Sequence, residues 1–283
     1  MLLYKYCGPG GVAILENASI FLTRPRAFND PFDLNPSIAK FHDLALMAEH
    51  LDRKMKDVVA LSLAENCESL LMWAHYAVRH TGFVIGFEGP HILDRPTPLF
   101  HHFDAVSYCH HRATGSRFTD IEDYEIYFRK SSEWSYEREW RIVESILAVD
   151  GNVEDPKAHW PFPLVVDSIK TVIVGHRGGL VLPKIIAMLQ QEQYRDVTLQ
   201  LAIPDLQKYR LNFHEWPRAD WSAPPPLPHW GRSFTISRYS STQMRRLMQT
   251  TIALPSMASS RWSKCRAMSR ATSASRFSAP TTA

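Results

Sequence analysis

The sequence predicts an α+β fold: a single domain around a mixed, mostly antiparallel sheet with flanking helices. Short runs rich in β-branched and aromatic residues recur along the chain, which is typical of strands. These runs alternate irregularly with helical patterns, whereas a parallel sheet requires a regular strand–helix–strand order. Residues 1–220 also have the length of one domain, since domains commonly span about 50–250 residues.

The elements of the first half follow from hydrophobic periodicity and from turn residues. Leu44, Met47 and Leu51 have helical spacing. Ser69 begins another helix, which Gly82 is expected to close in a left-handed conformation. The predicted strands cover 2–6, 19–23, 58–63 and 83–87, and the predicted helices cover 12–17, 38–56 and 69–80.

The second half continues the same mixture. Asp120 is expected to cap a helix that ends at about Lys130. The segment from Trp134 to Val149 is interpreted as one strand, because a charged stretch leads directly into an apolar run. The remaining predicted strands cover 105–109, 170–174, 197–201 and 209–213, and the last predicted helix covers 180–194.

Charge is divided unevenly along the 283 residues. Residues 1–220 carry a formal −6, from 23 Lys and Arg against 29 Asp and Glu, whereas residues 221–283 carry +9 and contain no acid. The tail is rich in Ser, Arg, Pro and Ala, so it cannot bury enough apolar surface to offset its chain entropy. We interpret 221–283 as a disordered or non-native tail, in preference to an arm that binds nucleic acid.

The sequence also predicts where the protein works. The first residues lead directly into a charged strand without the pattern of a signal peptide, and no apolar run approaches the ~20 residues of a membrane span. Four scattered cysteines without a secretion signal are typical of a reduced cytoplasm. The histidine pairs at 101–102 and 110–111 do not match zinc-ligand spacing, so no metal site is predicted.

A glutamate pair is the strongest candidate for a functional site. Glu137, Glu139 and Arg141 are two residues apart, so they would share one face of a strand. Two carboxylates on one face repel each other unless a cation or a proton lies between them. The pair is therefore either a site for a cation or a hydroxyl group, or a charged face of an edge strand that Arg138 and Arg141 neutralise.

Two further groups of residues allow a structural or a functional interpretation. Trp73, Tyr76 and His80 would share a helix face, either as part of the core or as a stacking wall for a base or a nicotinamide ring. The turn around Asn29 and Asp30 contains side chains that cap backbone amides. The same side chains are able to bind a ribose, a cation or an arginine.

These motifs in this order resemble a bacterial family catalogued as a domain of unknown function, the DUF2971-type domain. The resemblance covers roughly residues 2–175 and leaves the basic tail outside. The family implies no established activity. The matching motifs are Tyr4-Lys5-Tyr6, Phe28 to Asp33, Ser62, Met72-Trp73-Ala74-His75-Tyr76, His80, Gly82, Lys130 and Trp134 to Arg141.

A polar residue on the first strand, a serine on a middle strand and a glutamate on a late strand are similar to the three-part signature of ADP-ribosyltransferase-like folds. Such an enzyme uses NAD as a substrate and needs a carboxylate near the cationic ribose. By this resemblance Glu139 or Glu137 would stabilise the cation and Ser62 would orient the strands. The remaining roles fall to Tyr6 or Tyr76 for stacking, and to Lys5 or Arg141 for phosphate.

Two other classes of protein remain open. A binding or sensor module, in phage defence or stress response, would hold a nucleotide or a peptide in the same pocket without turnover. A metal-dependent nuclease would place Asp30, Asp33 and Glu139 around a divalent ion. The transferase predicts metal-independent loss of NAD, the nuclease predicts magnesium-dependent cleavage of nucleic acid, and the binding module predicts neither.

Overall fold

The computed structural model describes residues 1–37, 42–89, 92–93, 101–114, 123–146 and 159–222. The chain divides into two units, residues 1–230 and 231–283, and every described residue belongs to the first. The predicted basic tail therefore lies outside the described residues, except for its first two positions. Within the described ranges, no helix is long and apolar enough to cross a membrane.

A ten-stranded sheet organises the domain, and a two-stranded parallel sheet lies beside it. The small sheet consists of β6 (Ser107–Cys109) and β7 (Arg129–Ser131). The strands of the large sheet are β1 (Leu2–Cys7), β2 (Ser19–Thr23), β3 (Val58–Ala64), β4 (Phe83–Glu88), β5 (His101–Ala105), β8 (Glu139–Ser145), β9 (His159–Pro163), β10 (Ile169–Val174), β11 (Thr198–Pro204) and β12 (Leu211–Glu215).

Strand β3 is the branching point of the large sheet. Strand β8 pairs with β3 from Val58↔Ser145 to Ala64↔Glu139, and β5 pairs with the outer edge of β8. Both β1 and β2 also pair with β3, through Tyr4↔Ala64 and Thr23↔Ala60. Only β10 and β11 are parallel neighbours in this sheet, so the predicted α+β fold with a mostly antiparallel sheet is confirmed.

Five α-helices flank the sheet in the described part of the chain: α1 (Ala13–Asn17), α2 (Leu44–Asp57), α3 (Leu70–His75), α4 (Asp123–Phe128) and α5 (Leu182–Leu189). The predicted helix at 38–56 begins later than expected, because the Asp43 side chain accepts a hydrogen bond from Leu46 N and caps the first turn. Positions 38–41 lie outside the described residues.

The two faces of the large sheet differ in character. One face carries the main apolar core, which includes the fully buried Leu61, Phe83 and Val172. The other face carries a smaller cluster around Trp73 and Tyr6, and it also carries the buried charges described below. Side chains alternate along each strand, so the neighbouring residues of β3 and β8 supply both the core and the polar face.

The predicted helix over 69–80 is wrong beyond His75. Val78, Arg79 and His80 follow it with φ of 47°, 55° and 66°, a left-handed run that costs energy for side chains other than glycine. Arg79 N and His80 N donate to the carbonyls of Ala74 and Trp73, which offsets part of this cost.

The predicted role of Gly82 as a left-handed cap is also wrong. The left-handed conformation belongs to Val78, Arg79 and His80, and Gly82 itself has no left-handed φ. A Cβ at Gly82 would lie 1.9 Å from the carbonyl oxygen of Cys7, so the position needs glycine because two backbones approach closely there.

Four other boundaries are corrected in the second half. Residues Ser132–Glu137 form a 3-10 helix, and Arg138 has φ of 45°, so the strand predicted from Trp134 begins only at Glu139. The helix predicted to reach Lys130 ends at Phe128, because the next residues pair in the small sheet. The strand predicted at 105–109 divides between β5 and β6, and the helix predicted at 180–194 ends at Leu189.

We predict that Gly82→Ala lowers the free energy of unfolding by about 3 kcal/mol, the upper end of the range for overpacking. The reason is that neither the added Cβ nor the Cys7 carbonyl can move without disturbing the β1–β4 ladder. Gly10→Ala is the matched control, since nothing lies within 4 Å of its Cβ, and it should change stability by less than ~1 kcal/mol. Urea unfolding checks both, and equal stability of the two variants would contradict the close approach.

Candidate functional site

Five charged side chains meet on the polar face of β3 and β8. We call them the charged cluster: Asp33, Lys130, Glu137, Glu139 and Arg141. They come from the turn after β2, from β7, from the 3-10 helix before β8, and from β8 itself. Each is at most 6% exposed, so the free energy of folding depends on how the charges are paired.

Arg141 is fully buried and joins three segments of the chain. Its guanidinium donates from Nη1 and Nη2 to the two oxygens of Asp33, both at 3.0 Å, and from Nε and Nη2 to those of Glu139, at 2.8 and 3.0 Å. Nη1 also donates to the carbonyl of Tyr127 at 2.7 Å. Two bidentate pairs fix the planar group, which lysine could not imitate.

Lys130 is the second cation and lies between the carboxylates. Its Nζ is 2.6 Å from Glu137 Oε2, 3.0 Å from Glu139 Oε2 and 3.3 Å from Asp33 Oδ2. The two glutamates were expected to need a cation or a proton between them, and Lys130 occupies that position. Arg138, the alternative partner, instead pairs at the surface with Glu65.

The pKa values of the cluster follow from these contacts. Burial would raise the pKa of Glu139, but Arg141 and Lys130 lower it to about 2. Burial would lower the pKa of Lys130, but Glu139, Asp33 and Glu137 together hold it above its ordinary value. Burial raises the pKa of Glu137, and Lys130 and Tyr76 offset only part of that rise. The two glutamates therefore differ: Glu139 stays ionised, whereas Glu137 is the one that protonates more readily.

A chain of hydrogen bonds links Glu137 to the surface. Tyr76 OH donates to Glu137 Oε1 at 2.5 Å, and Asn29 Nδ2 donates to Tyr76 OH at 3.1 Å. Asn29 is exposed and Tyr76 is partly buried, so the chain runs from solvent to the cluster. Burial and the hydrogen bond to Glu137 raise the pKa of Tyr76, which keeps its hydroxyl protonated as a donor.

Ser62 on β3 and Lys5 on β1 lie next to the charged cluster. Ser62 lies opposite Arg141 in the β3–β8 register, and its side chain helps to lower the pKa of Glu139. Lys5 Nζ donates to the Ser62 carbonyl at 3.0 Å, where β1 and β3 separate. Burial lowers the pKa of Lys5, and the charges of Cys7, Glu139 and Glu137 partly oppose that effect.

Aromatic rings surround the surface end of this chain. The ring of His75 lies 6.4 Å from those of Tyr76 and Tyr136, and Trp134 lies 6.0 Å from Tyr136. Lys130 Nζ is 5.3 Å from the centre of the Trp134 ring. We call His75, Tyr76, Trp134 and Tyr136 the aromatic rim. Such partly exposed rings next to fixed polar groups are able to hold a planar ligand.

The structure brings most of the candidate residues together. Glu137, Glu139, Arg141 and Tyr76 form one hydrogen-bonded group through Lys130, and Asn29 is attached to it through Tyr76. Ser62 lies opposite Arg141 on β3, and its carbonyl accepts from Lys5. Two candidates have local contacts instead: Asp30 Oδ1 accepts from Phe32 N within its turn, and Tyr6 OH donates to the Asn66 carbonyl while its ring packs on Trp73.

Two contacts of the cluster were missed by sequence reasoning. Tyr108 OH accepts a hydrogen bond from Glu139 N, and the Tyr127 carbonyl accepts from Arg141. A backbone carbonyl carries no sequence signal, and Tyr108 lies in a strand whose partner was not predicted. His80 was placed on the helix face with Trp73, and although the helix has ended, its ring stacks on Trp73 at 5.9 Å.

No group of three or more His, Cys, Asp or Glu residues in the described ranges could hold a metal ion. Two acids of the nuclease hypothesis, Asp33 and Glu139, are bound by Arg141 and Lys130, and the third, Asp30, caps its own turn. The acids therefore converge on cations of the protein itself.

Comparison with known proteins gives one match. Residues 72–142 match the model of a family described as "Protein of unknown function (DUF2971)". The matched segment runs from α3 into β8 and includes Tyr76, Lys130, Glu137, Glu139 and Arg141. The match supports the assignment of the chain to a DUF2971-type family. No curated protein and no solved structure matches the chain.

We predict that Arg141→Met lowers the free energy of unfolding by about 3–5 kcal/mol, because Asp33 and Glu139 lose the guanidinium that both of them share. Arg138→Met is the matched control: it removes an exposed pair with Glu65 and should cost at most about 1 kcal/mol. Denaturant unfolding of both variants checks this, and a similar cost for the two would contradict a structural role of the cluster.

The opposite pKa shifts of the two glutamates predict opposite effects of pH on stability. The Glu139 pKa is about 2 in the folded state against an ordinary 4.5, so its contribution is present above pH 4.5 and is lost as the pH falls toward 2. The Glu137 pKa is raised, so ionisation of Glu137 destabilises the folded state as the pH rises. The urea concentration at the midpoint of unfolding should therefore increase with pH less steeply in Glu139→Gln than in the wild type. In Glu137→Gln it should increase more steeply. The same slope in all three proteins would contradict these shifts.

Proposed function

We propose that this protein is an NAD-consuming enzyme of the ADP-ribosyltransferase-like type. One observation carries the proposal: the first strand, the serine strand and the glutamate strand are neighbours in the order β1-β3-β8. Through this order Lys5 donates to the Ser62 carbonyl, and the Ser62 side chain lies near enough to Glu139 to help lower its pKa. The three parts of the signature therefore meet, although they are far apart in the sequence.

The reaction breaks the bond between the ribose carbon and the nicotinamide nitrogen. The bonding electrons return to the ring nitrogen, nicotinamide leaves, and water or an acceptor nucleophile adds to the ribose carbon and loses a proton. The transition state carries positive charge on the ribose, so a nearby ionised carboxylate stabilises it. A stacked aromatic ring holds the planar nicotinamide in place.

The hydrogen bonds of the two glutamates favour a different role for each. Glu139 accepts two hydrogen bonds from Arg141 and one from Lys130, so only one acceptor site, on Oε1, remains. Glu137 accepts one from Tyr76 and one from Lys130, so each of its oxygens keeps a free lone pair. In this proposal Glu137 contacts the ribose, and Glu139 is a positioning residue that fixes Lys130 and Arg141.

In this proposal the nicotinamide ring stacks on the aromatic rim. Tyr76 and Tyr136 lie beside Glu137 and are partly exposed, and Asn29 supplies an exposed amide at the same position. A ring stacked there would place the ribose next to the Tyr76 hydroxyl and the Glu137 carboxylate. This arrangement needs no metal ion, in keeping with a cationic transition state that the carboxylate alone can stabilise.

A binding module without turnover is the second candidate, and one observation favours it. Glu139, the glutamate at the start of β8, is 3% exposed and keeps at most one acceptor site for a ribose hydroxyl while both cations stay in place. The same aromatic rim would then hold a nucleotide above a cluster whose only role is to fix the surrounding segments.

We predict nicotinamide release from NAD by the full chain in the presence of EDTA. Glu137→Gln should reduce the rate by about 10²–10³-fold, because the variant keeps the shape of the side chain and removes its charge. Glu133→Gln, on the same 3-10 helix but exposed, is the matched control and should retain the wild-type rate. Chromatographic detection of nicotinamide measures the rates.

Three results would separate the candidates. NAD that binds without release of nicotinamide would favour the binding module. A Glu137→Gln protein with the wild-type rate would overturn the role of that carboxylate. Folded wild-type protein that neither binds nor cleaves NAD would contradict both candidates, and circular dichroism confirms the fold in each case.

A further inference from the structure

A cleft of about 240 Å³ is lined by Lys130 but by none of the aromatic rim, and the proposed chemistry does not use it. Most of the polar groups around it are donors. Its lining includes Phe32, His110, His111, Arg112, Lys130 and Ser131.

The cleft is built by three segments that are distant in the sequence. The parallel pairing of β6 and β7 places Cys109 opposite Ser131, and the bridge between Ser37 and Thr114 ties the turn after β2 to the residues after β6. Residues 110–113 therefore run between two fixed points. A site on such a supported loop keeps its geometry without a ligand.

Arg112 is held in one orientation by its own backbone contacts. Nε and Nη2 donate to the Asn35 carbonyl at 2.9 and 2.7 Å, and Nη2 donates to the Pro36 carbonyl at 2.9 Å. The guanidinium also lies over the Phe32 ring at 5.4 Å. Its Nη1 makes no hydrogen bond within the described part of the chain, so one edge of the group is fixed while Nη1 keeps both donors.

The charge of Arg112 is not neutralised by a carboxylate among the described residues. Arg129, the neighbouring cation of the cleft, is neutralised by Glu125 at 2.5 Å. His110 Nδ1 is bound to Ser132 Oγ at 2.8 Å, which fixes the ring at the edge of the cleft. A fixed arginine with free donors, next to imidazole and hydroxyl groups, is the arrangement that recognises phosphoryl oxygens.

We propose that this cleft is a binding site for a phosphate or diphosphate group, with Arg112 as its main ligand. Arg112 Nη1 donates to the phosphoryl oxygens, and the Ser131 hydroxyl and the two imidazoles complete the donor set. A volume of about 240 Å³ is below the range of about 300–1,000 Å³ for pockets that enclose whole drug-sized ligands, so the cleft fits the phosphate part of a ligand.

The phosphate site does not depend on NAD cleavage, although the Lys130 side chain connects the cleft to the charged cluster. Lys130 lines the cleft and its Nζ reaches Glu137 Oε2. A nucleotide diphosphate in the cleft would therefore bring its sugar toward the charged cluster. Free pyrophosphate would occupy the same donors, and a test must distinguish these two sources of the phosphoryl group.

Isothermal titration calorimetry of the full chain with pyrophosphate, and separately with ADP-ribose, tests the proposal. Wild-type protein should bind pyrophosphate, and Arg112→Gln should bind it at least about tenfold more weakly. Arg195→Gln, which removes an exposed arginine paired with Glu192, should bind as the wild type does. Binding of ADP-ribose alone, lost in Arg112→Gln, would identify a nucleotide as the source. Absence of binding for both ligands, or unchanged binding by folded Arg112→Gln, would overturn the proposal.

A second measurement avoids a variant, because Arg112→Gln removes three hydrogen bonds to backbone carbonyls as well as the proposed phosphate ligand. Phenylglyoxal modifies exposed arginines, and pyrophosphate should protect Arg112 but not Arg195 from it, as read by peptide mass spectrometry. Equal modification with and without pyrophosphate would overturn the proposal. Pyrophosphate binding is measured without NAD, so loss of NAD cleavage and loss of the phosphate site are distinguishable.

Discussion

The pairing of three buried carboxylates with two buried cations is the constraint on which the rest of the site depends. An ion taken out of water costs several kcal/mol unless its partners are in place. Arg141 therefore requires both Asp33 and Glu139, and through them it fixes the turn after β2 against β8. Lys130 likewise requires β7 next to the 3-10 helix. The segments that carry the site can dock only as a group, because each supplies a charge that another segment neutralises.

The charge balance of the cluster also bears on its chemistry. Three carboxylates against Lys130 and Arg141 leave one negative charge when all are ionised, and Glu137 is the carboxylate whose pKa is raised. The excess charge therefore lies at the end of the cluster that faces Tyr76 and the aromatic rim. A cationic ring or a cationic sugar placed there would neutralise the one net negative charge of the cluster. A neutral or anionic ligand would not be stabilised by that charge.

Much of the fold could be predicted from the sequence, because strands such as β1, β2 and β4 carry an apolar pattern bounded by turn residues. Sequence reasoning also selected Glu137, Glu139 and Arg141, since charged residues next to an apolar strand are conspicuous, and the structure places these three in one cluster. The geometry of the pair was not predictable: Glu137 and Glu139 were expected on one strand face. The left-handed Arg138 instead separates a 3-10 helix from β8, and both carboxylates still reach Lys130. Backbone conformations of this kind depend on tertiary contacts, such as the bond from Glu65 N to the Arg138 carbonyl.

The turn around Asn29 decides whether the cluster can take part in a reaction. Asp33 on this turn accepts from Arg141, and Asn29 on the same turn donates to Tyr76, so one segment covers both the buried and the exposed ends of the site. If the turn stays in place, a ligand reaches only Tyr76 and Glu137, which is sufficient for the chemistry proposed for Glu137. Access to Glu139 would require Asp33 to leave Arg141, at the cost of an unpaired buried charge. In the proposed reaction, the energetics of this short turn therefore favour Glu137 over Glu139 as the carboxylate that contacts the ribose.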